Sequence, residues 1–123
     1  MDASGRHLLV ELRQCDAELL DDLRYVEETI VAAAAEAGVT IVGKTFHRLD
    51  PRGVTGVVAI AESHMSIHTW PEGGYASVDI FTCGAALRPR QAAQIIIEGL
   101  RCSQPSITEM ERGPVYQPGA AAV

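Results

Sequence analysis

Ten consecutive residues, Ala61-Glu62-Ser63-His64-Met65-Ser66-Ile67-His68-Thr69-Trp70, bring together a Glu-Ser peptide bond, two imidazoles and further hydroxyls. A serine hydroxyl is a latent nucleophile that needs a proton acceptor, and histidine is the side chain that takes up and releases protons near neutral pH. A thiol, Cys83, closes a second apolar run at 75–84 and has the chemistry of a nucleophile or an acid. Each of these residues also has an ordinary reading. A strand histidine is most often a satisfied surface group, a lone cysteine a small packing residue, Ser63 a bulge or turn residue, and Thr55 a plain strand threonine. A zinc site on His64 and His68 is a poor reading, because four residues along a strand separate them by about 13 Å. Helical spacing would bring them together, but the alternation and Pro71 oppose a helix. The chain has neither a G-x-S-x-G elbow nor a phosphate-binding glycine loop.

Elements that can position this cluster are readable on both sides of it. The alternating run Val54-Thr55-Gly56-Val57-Val58-Ala59-Ile60 leads in, and Pro71-Glu72-Gly73-Gly74 makes a four-residue hairpin loop leading out. Such a loop pairs Trp70 with Tyr75, and the register then follows. One face carries Met65, Ile67, Ala76, Val78 and Ile80, a core face; the other carries His64, Ser66, His68, Ser77 and Asp79. The same register continued sets Cys83 opposite Glu62, so that a thiol, an imidazole and the Ser63 peptide bond share one face of a sheet.

Around the hairpin, residues 7–13 read as a strand. Asp16 caps a helix that runs to about Ala37 and stops at Gly38, and 39–49 form a second strand followed by a turn at 50–53. Pro89 opens a second helix to about Arg101, 105–111 add a last strand, and 117–123 form a frayed tail. The order βαββββαβ predicts an α+β domain, a two-layer α/β sandwich with a mostly antiparallel sheet covered on one face by two helices. With 123 residues the chain makes one domain, 1–123, too small for a deep cleft of its own, so an enclosed site forms more naturally where two copies meet. A net charge of −6 without a run of Lys or Arg argues against nucleic acid and anionic membrane surfaces. No apolar stretch approaches a membrane span, and the N-terminal residues lack a signal pattern, which together read as a cytoplasmic protein. Cys15, Cys83 and Cys102 are odd in number and widely spaced, as expected of reduced thiols rather than a disulfide framework or a zinc ribbon.

The residues resemble the short prokaryotic S-adenosylmethionine decarboxylase proenzymes, which carry a pyruvoyl group. The resemblance runs from Gly5-Arg6-His7-Leu8-Leu9-Val10-Glu11 through Phe46-His47-Arg48, Gly53-Val54-Thr55-Gly56-Val57-Val58 and the long block from Glu62 to Glu72 to Asp79-Ile80-Phe81-Thr82-Cys83-Gly84. Beyond Gly84 it rests on a helix and Glu111-Arg112-Gly113. It implies a dimerising sandwich whose precursor cuts itself between Glu62 and Ser63, leaving a β chain 1–62 and an α chain 63–123 together. The implied steps begin with attack of the Ser63 hydroxyl on the Glu62 carbonyl. His68 then removes the Ser63 α-proton, β-elimination follows, and hydrolysis leaves a pyruvoyl cap. The ketone then forms a Schiff base with a substrate amine and acts as electron sink for decarboxylation, with neither metal nor pyridoxal phosphate. By resemblance Cys83 is the proton donor to product, Thr55 assists His68 in processing, and Glu72 and Glu11 lie near substrate, Glu72 accepting ribose hydroxyls.

Three positions depart from the family pattern. Thr55 stands for a usual serine, Gly73 for a common aromatic, and Leu49 for the aromatic that stacks on adenine. A stacking ring is worth about 1–3 kcal/mol of base binding. Decarboxylation of S-adenosylmethionine, yielding the aminopropyl donor for spermidine synthesis, is the first reading. A pyruvoyl decarboxylase of a free basic amino acid such as ornithine or arginine is its rival. An unprocessed regulatory paralogue is a third, opposed by the intact Ser63, His68 and Cys83.

Overall fold

A computed structural model of the chain describes residues 4–61, 63–84 and 87–114. Strict alternation of apolar and polar residues makes the strands, and it shows most clearly in Tyr75–Cys83, where every second side chain is buried. In chain order the elements are β1 (Gly5–Arg13), α1 (Ala17–Leu20), α2 (Leu23–Ala37), β2 (Ile41–Arg48), β3 (Val54–Ile60), β4 (Ser63–Trp70), a 3-10 turn (Pro71–Gly73), β5 (Tyr75–Cys83), α3 (Pro89–Gly99) and β6 (Gln104–Arg112). They form a six-stranded sheet in the order β2-β3-β4-β5-β1-β6, with every neighbouring pair antiparallel. The expected α+β sandwich is the fold observed.

The core lies on one side of the sheet. Leu8, Val10 and Leu12 of β1, Met65 and Ile67 of β4, and Ala76, Val78 and Ile80 of β5 meet Val26, Ile30, Ala33 and Ala34 of α2 and Ala92, Ala93 and Ile96 of α3. Each fully buried Leu or Ile in that layer contributes about 1.5–3 kcal/mol. The two long helices also touch each other closely: Tyr25 Oη donates to Gly99 O at 2.7 Å, and a Cβ at Gly99 would fall 2.9 Å from Thr29 Cγ2. Pro89 begins α3, and Gly38 ends α2 in the left-handed conformation with φ 83°.

The single helix expected between Asp16 and Ala37 is two. Asp16 caps α1, accepting from Glu18 N and Leu19 N, while Asp22 starts α2 afresh by accepting from Tyr25 N. Adjacent aspartates offer backbone N–H groups a competing acceptor, which favours a new cap over a continuous helix. Asp21 is turned instead toward the β2–β3 turn, where its carboxylate accepts from Gly53 N at 2.9 Å and from Arg48 at 2.9 Å. The other strand expectations hold to within a few residues, including the hairpin register, in which Trp70 pairs with Tyr75, His68 with Ser77 and His64 with Phe81. Glu62 and the tail at 117–123 lie outside the described residues. No helix among the described residues is long and apolar enough to cross a membrane.

Candidate active site

The helix-free face of the sheet carries the polar residues, and the register arranges them in rows across the strands. The first row runs Glu11, Ser77, His68, Thr55, His47 across β1, β5, β4, β3 and β2. The next is Leu9, Asp79, Ser66, Val57, and the next His7, Phe81, His64, Ala59. Cys83 begins a fourth, opposite Gly5. Rows are two residues apart, about 6.6 Å along the strands.

In the first row Thr55 Oγ1 lies 2.9 Å from His68 Nδ1. When Nδ1–H donates to that hydroxyl, Nε2 is left bare and able to accept a proton. The ring stands 6.5 Å from that of Trp70, which stacks on Tyr75 at 5.3 Å. Tyr75 Oη donates to Glu11 Oε1, and this bond to a carboxylate holds the phenol proton on, raising its pKa. Glu11 is therefore committed to a neighbour as well as placed beside His68's row. Glu72 lies exposed in the 3-10 turn, and Leu49, 41% exposed, follows β2 with its N–H donating to Gly53 O at 2.8 Å. These residues share one end of the sheet.

Ser63 and Cys83 occupy the opposite end. Ser63 opens β4, half-buried and paired with Ile60. The β4–β5 register continued past His64 and Phe81 brings Thr82 and then Cys83 alongside that start; the Cys83–Glu62 pairing itself falls on a residue outside the described ones. Glycine at position 5 makes the room for Cys83, since a Cβ there would fall 3.1 Å from its Sγ and 2.6 Å from the Phe81 ring. Within one chain, five residues of β4 separate Ser63 from His68, about 17 Å. His68 and Cys83 do share a face, as expected, but a single chain does not bring His68 to the Ser63 bond.

Between the two ends runs a network that sequence reasoning noticed only in part. Asp79 receives His7 Nε2 at 3.0 Å and Ser66 Oγ at 3.3 Å, and Arg112 Nη1 lies 3.3 Å from His7 Nδ1. Arginine only donates, so Nδ1 accepts and Nε2–H points at Asp79, which assigns the His7 tautomer. Arg112 also lies over the Phe81 ring, 4.3 Å from its centroid. His7 was legible as the continuation of β1's outward positions from Glu11 and Leu9; Arg112 was not, because only the β1–β6 pairing brings it there. Among the described residues no three His, Cys, Asp or Glu side chains converge in a way that would hold a metal.

A family profile described as S-adenosylmethionine decarboxylase matches residues 6–113. A relative from Thermodesulfovibrio yellowstonii is 54% identical over 113 residues, spanning 92% of this chain and 84% of its own. One from Moorella thermoacetica is 50% identical over 123 residues, spanning 100% and 98%. Both are called S-adenosylmethionine decarboxylase proenzyme. The crystal structure of the adenosylmethionine decarboxylase from Aquifex aeolicus matches with a TM-score of 0.85 at 34% identity, covering 97% of this chain and 98% of that one. Fold, polar face and relatives together define an enzyme of the carboxy-lyase class, built on a helix-backed antiparallel sheet. The chain belongs to the S-adenosylmethionine decarboxylase family.

Proposed function

We propose that this chain decarboxylates S-adenosylmethionine, giving the aminopropyl donor for spermidine synthesis, through a pyruvoyl group made from its own Ser63. The residues present suit that group. Ser63 supplies a hydroxyl adjacent to the Glu62 carbonyl at the start of a strand, and the register continued from β5 carries Cys83 to the same place. Attack of Ser63 Oγ on the Glu62 carbonyl turns the amide into an ester. Loss of the Ser63 α-proton then expels the Glu62 carboxylate and parts the two chains, and hydrolysis of the dehydroalanine end, through its imine tautomer, releases ammonia and leaves the ketone. Once formed, the pyruvoyl supplies the electron sink for loss of carbon dioxide. The chain's own side chains do the rest: Cys83 gives a proton to the product, Glu72 accepts ribose hydroxyls, and Glu11, oriented by Tyr75, adds negative charge for the substrate's cation.

The observation that carries the reading furthest is the Thr55–His68 pair, 2.9 Å apart and yet about 17 Å from Ser63 along its own strand. A proton acceptor so placed serves Ser63 only across a second copy. Two sheets packed face to face about a two-fold axis that lies between them and runs across their strands have those strands reversed, which sets the His68 row of each copy over the Ser63 end of the other. The open face suits such packing, since Leu9, Val57, Trp70 and Met110 are 37–51% exposed on it. Dimerisation, self-cleavage and the site roles are one proposal.

Intact-mass analysis of the incubated protein tests it: the chain should break after Glu62, with the second piece blocked at its N-terminus, and Ser63→Ala should stay whole. Cys83→Ala should still break but lose turnover. Carbon dioxide release from carboxyl-labelled S-adenosylmethionine should follow cleavage. A wild type that stays uncut overturns the mechanism. Brisk release from ornithine or arginine, with none from S-adenosylmethionine, overturns the substrate and keeps the chemistry.

A further inference from the structure

Strands β1 and β6 are antiparallel, and their register pairs Leu12 with Pro105 and Arg13 with Gln104. Carried past the strand ends, it sets Gln14 against Ser103 and Cys15 against Cys102. Beyond the strand ends the chain turns, with Gln14 and Arg101 in the left-handed conformation at φ 57° and 55°, and the two segments stay together: Ser103 N donates to Gln14 O at 3.2 Å and Asp16 N, one residue out of register, to Leu100 O at 3.1 Å, so hydrogen bonds bracket the two cysteines. Cys102 Sγ donates to Arg13 O at 3.0 Å, which turns its thiol toward the chain leading into Cys15. Both are free and half-buried against the edge of the core. The strands that lead into these two cysteines hold facing Cα atoms about 4.5–5.5 Å apart, and a disulfide spans about 4.4–6.8 Å.

These two cysteines also fall on opposite sides of Ser63 in sequence. We propose that Cys15 and Cys102 form a reversible disulfide on exposure to hydrogen peroxide, and that this bond ties together the two chains that cleavage after Glu62 produces. The second half of the proposal rests on the self-cleavage reading above. Without the disulfide the two chains are held by packing and by strand pairing alone, with β1 of the first chain between β5 and β6 of the second.

Burial, and then the neighbouring Cys102 sulfur, push the Cys15 thiol up to about 12, so it keeps its proton. The Cys102 sulfur attacks one peroxide oxygen to give a sulfenic acid, and the hydroxide released leaves as water with the Cys102 proton. The Cys15 sulfur then attacks the Cys102 sulfur and expels the second oxygen as hydroxide, which leaves as water with the Cys15 proton. Two thiols lose two electrons and two protons, and one peroxide becomes two waters. A dithiol reductant reverses the bond.

The test uses the cleaved protein, treated with hydrogen peroxide, alkylated and digested with trypsin without reduction. The expected product is peptide 14–24 joined to peptide 102–112, with both chains running as a single band on a non-reducing gel and separating in dithiothreitol. Cys102→Ser, and independently Cys15→Ser, should leave the chains apart under oxidant, whereas Cys83→Ala should keep the link. Recovery of both peptides alkylated, a sulfinic acid on Cys102 with Cys15 still free, or a link to Cys83 overturns the proposal. The peptide map reads the disulfide in an uncut chain as well, and a reducing gel reads cleavage, so failure of either step is seen separately.

Discussion

On the proposed reading, Leu49 is the residue on which substrate recognition turns. It sits at the Glu72 end of the sheet, 41% exposed, held by its N–H to Gly53 O. An aliphatic side chain there offers an adenine ring apolar contact without the stacking that a flat ring supplies. Leu49→Phe should therefore lower the KM for S-adenosylmethionine roughly fivefold, equivalent to about 1 kcal/mol at the low end of base–aromatic stacking. The turnover number should change little, because the base is remote from the bond that breaks. Steady-state kinetics on the two proteins check this, and an unchanged KM would separate Leu49 from the base. Thr55 is a milder departure: its hydroxyl still meets His68 Nδ1 at 2.9 Å, so the partner that sets the imidazole tautomer is retained.

At the scale of elements, Asp21 does more than end α1. Its carboxylate is tied to the β2–β3 turn, and the Gly53 N–H, followed by the charges of Arg48 and Arg52, holds its pKa below the ordinary 3.8. A group whose pKa is lowered by folding contributes stability above its unfolded value and loses it as the pH falls through the folded one. Asp21→Asn should thus lower the melting temperature at neutral pH. The gap to wild type should persist down to about pH 4 and close only at more acid pH. Thermal unfolding followed from pH 3 to pH 7 measures it, and a gap unchanged across that range would take the charge out of the account. The same turn carries the Gly53 N–H and leads into Thr55, so α1, α2 and the β2–β3 turn are one unit positioning His68's partner.

For the whole molecule, the proposed reading makes cleavage a property of two copies, because Ser63 and His68 lie about 17 Å apart within one. Ser63→Ala and His68→Ala should each fail to cut when expressed alone. Expressed together, the His68→Ala chain should be cut, because a Ser63→Ala chain beside it still carries the missing imidazole. Tagging the two variants differently and following each by mass resolves the outcome, and a mixture that stays whole would place processing within one chain.

Much of this molecule was legible before folding. Alternation at 54–60, 63–70 and 75–83, with the hairpin loop between, determined the β4–β5 register and hence which side chains share the open face, because a one-residue slip would expose Met65, Ile67 and Val78. Residue types in the Glu62–Glu72 block determined the family. Local pattern did not show the break at Asp21–Asp22, where two caps competed for the same turn of helix. Nor did it show that β1 lies between β5 and β6, a choice made by burial of Leu8, Val10 and Leu12 under the helices and not by any neighbour in sequence. That single placement brings Arg112 onto His7, Glu11 onto Tyr75 and Cys15 onto Cys102, residues 105, 64 and 87 positions apart. Proximity of this kind depends on strand order, which is set by how the whole core packs, whereas register depends on a two-residue period written into each strand.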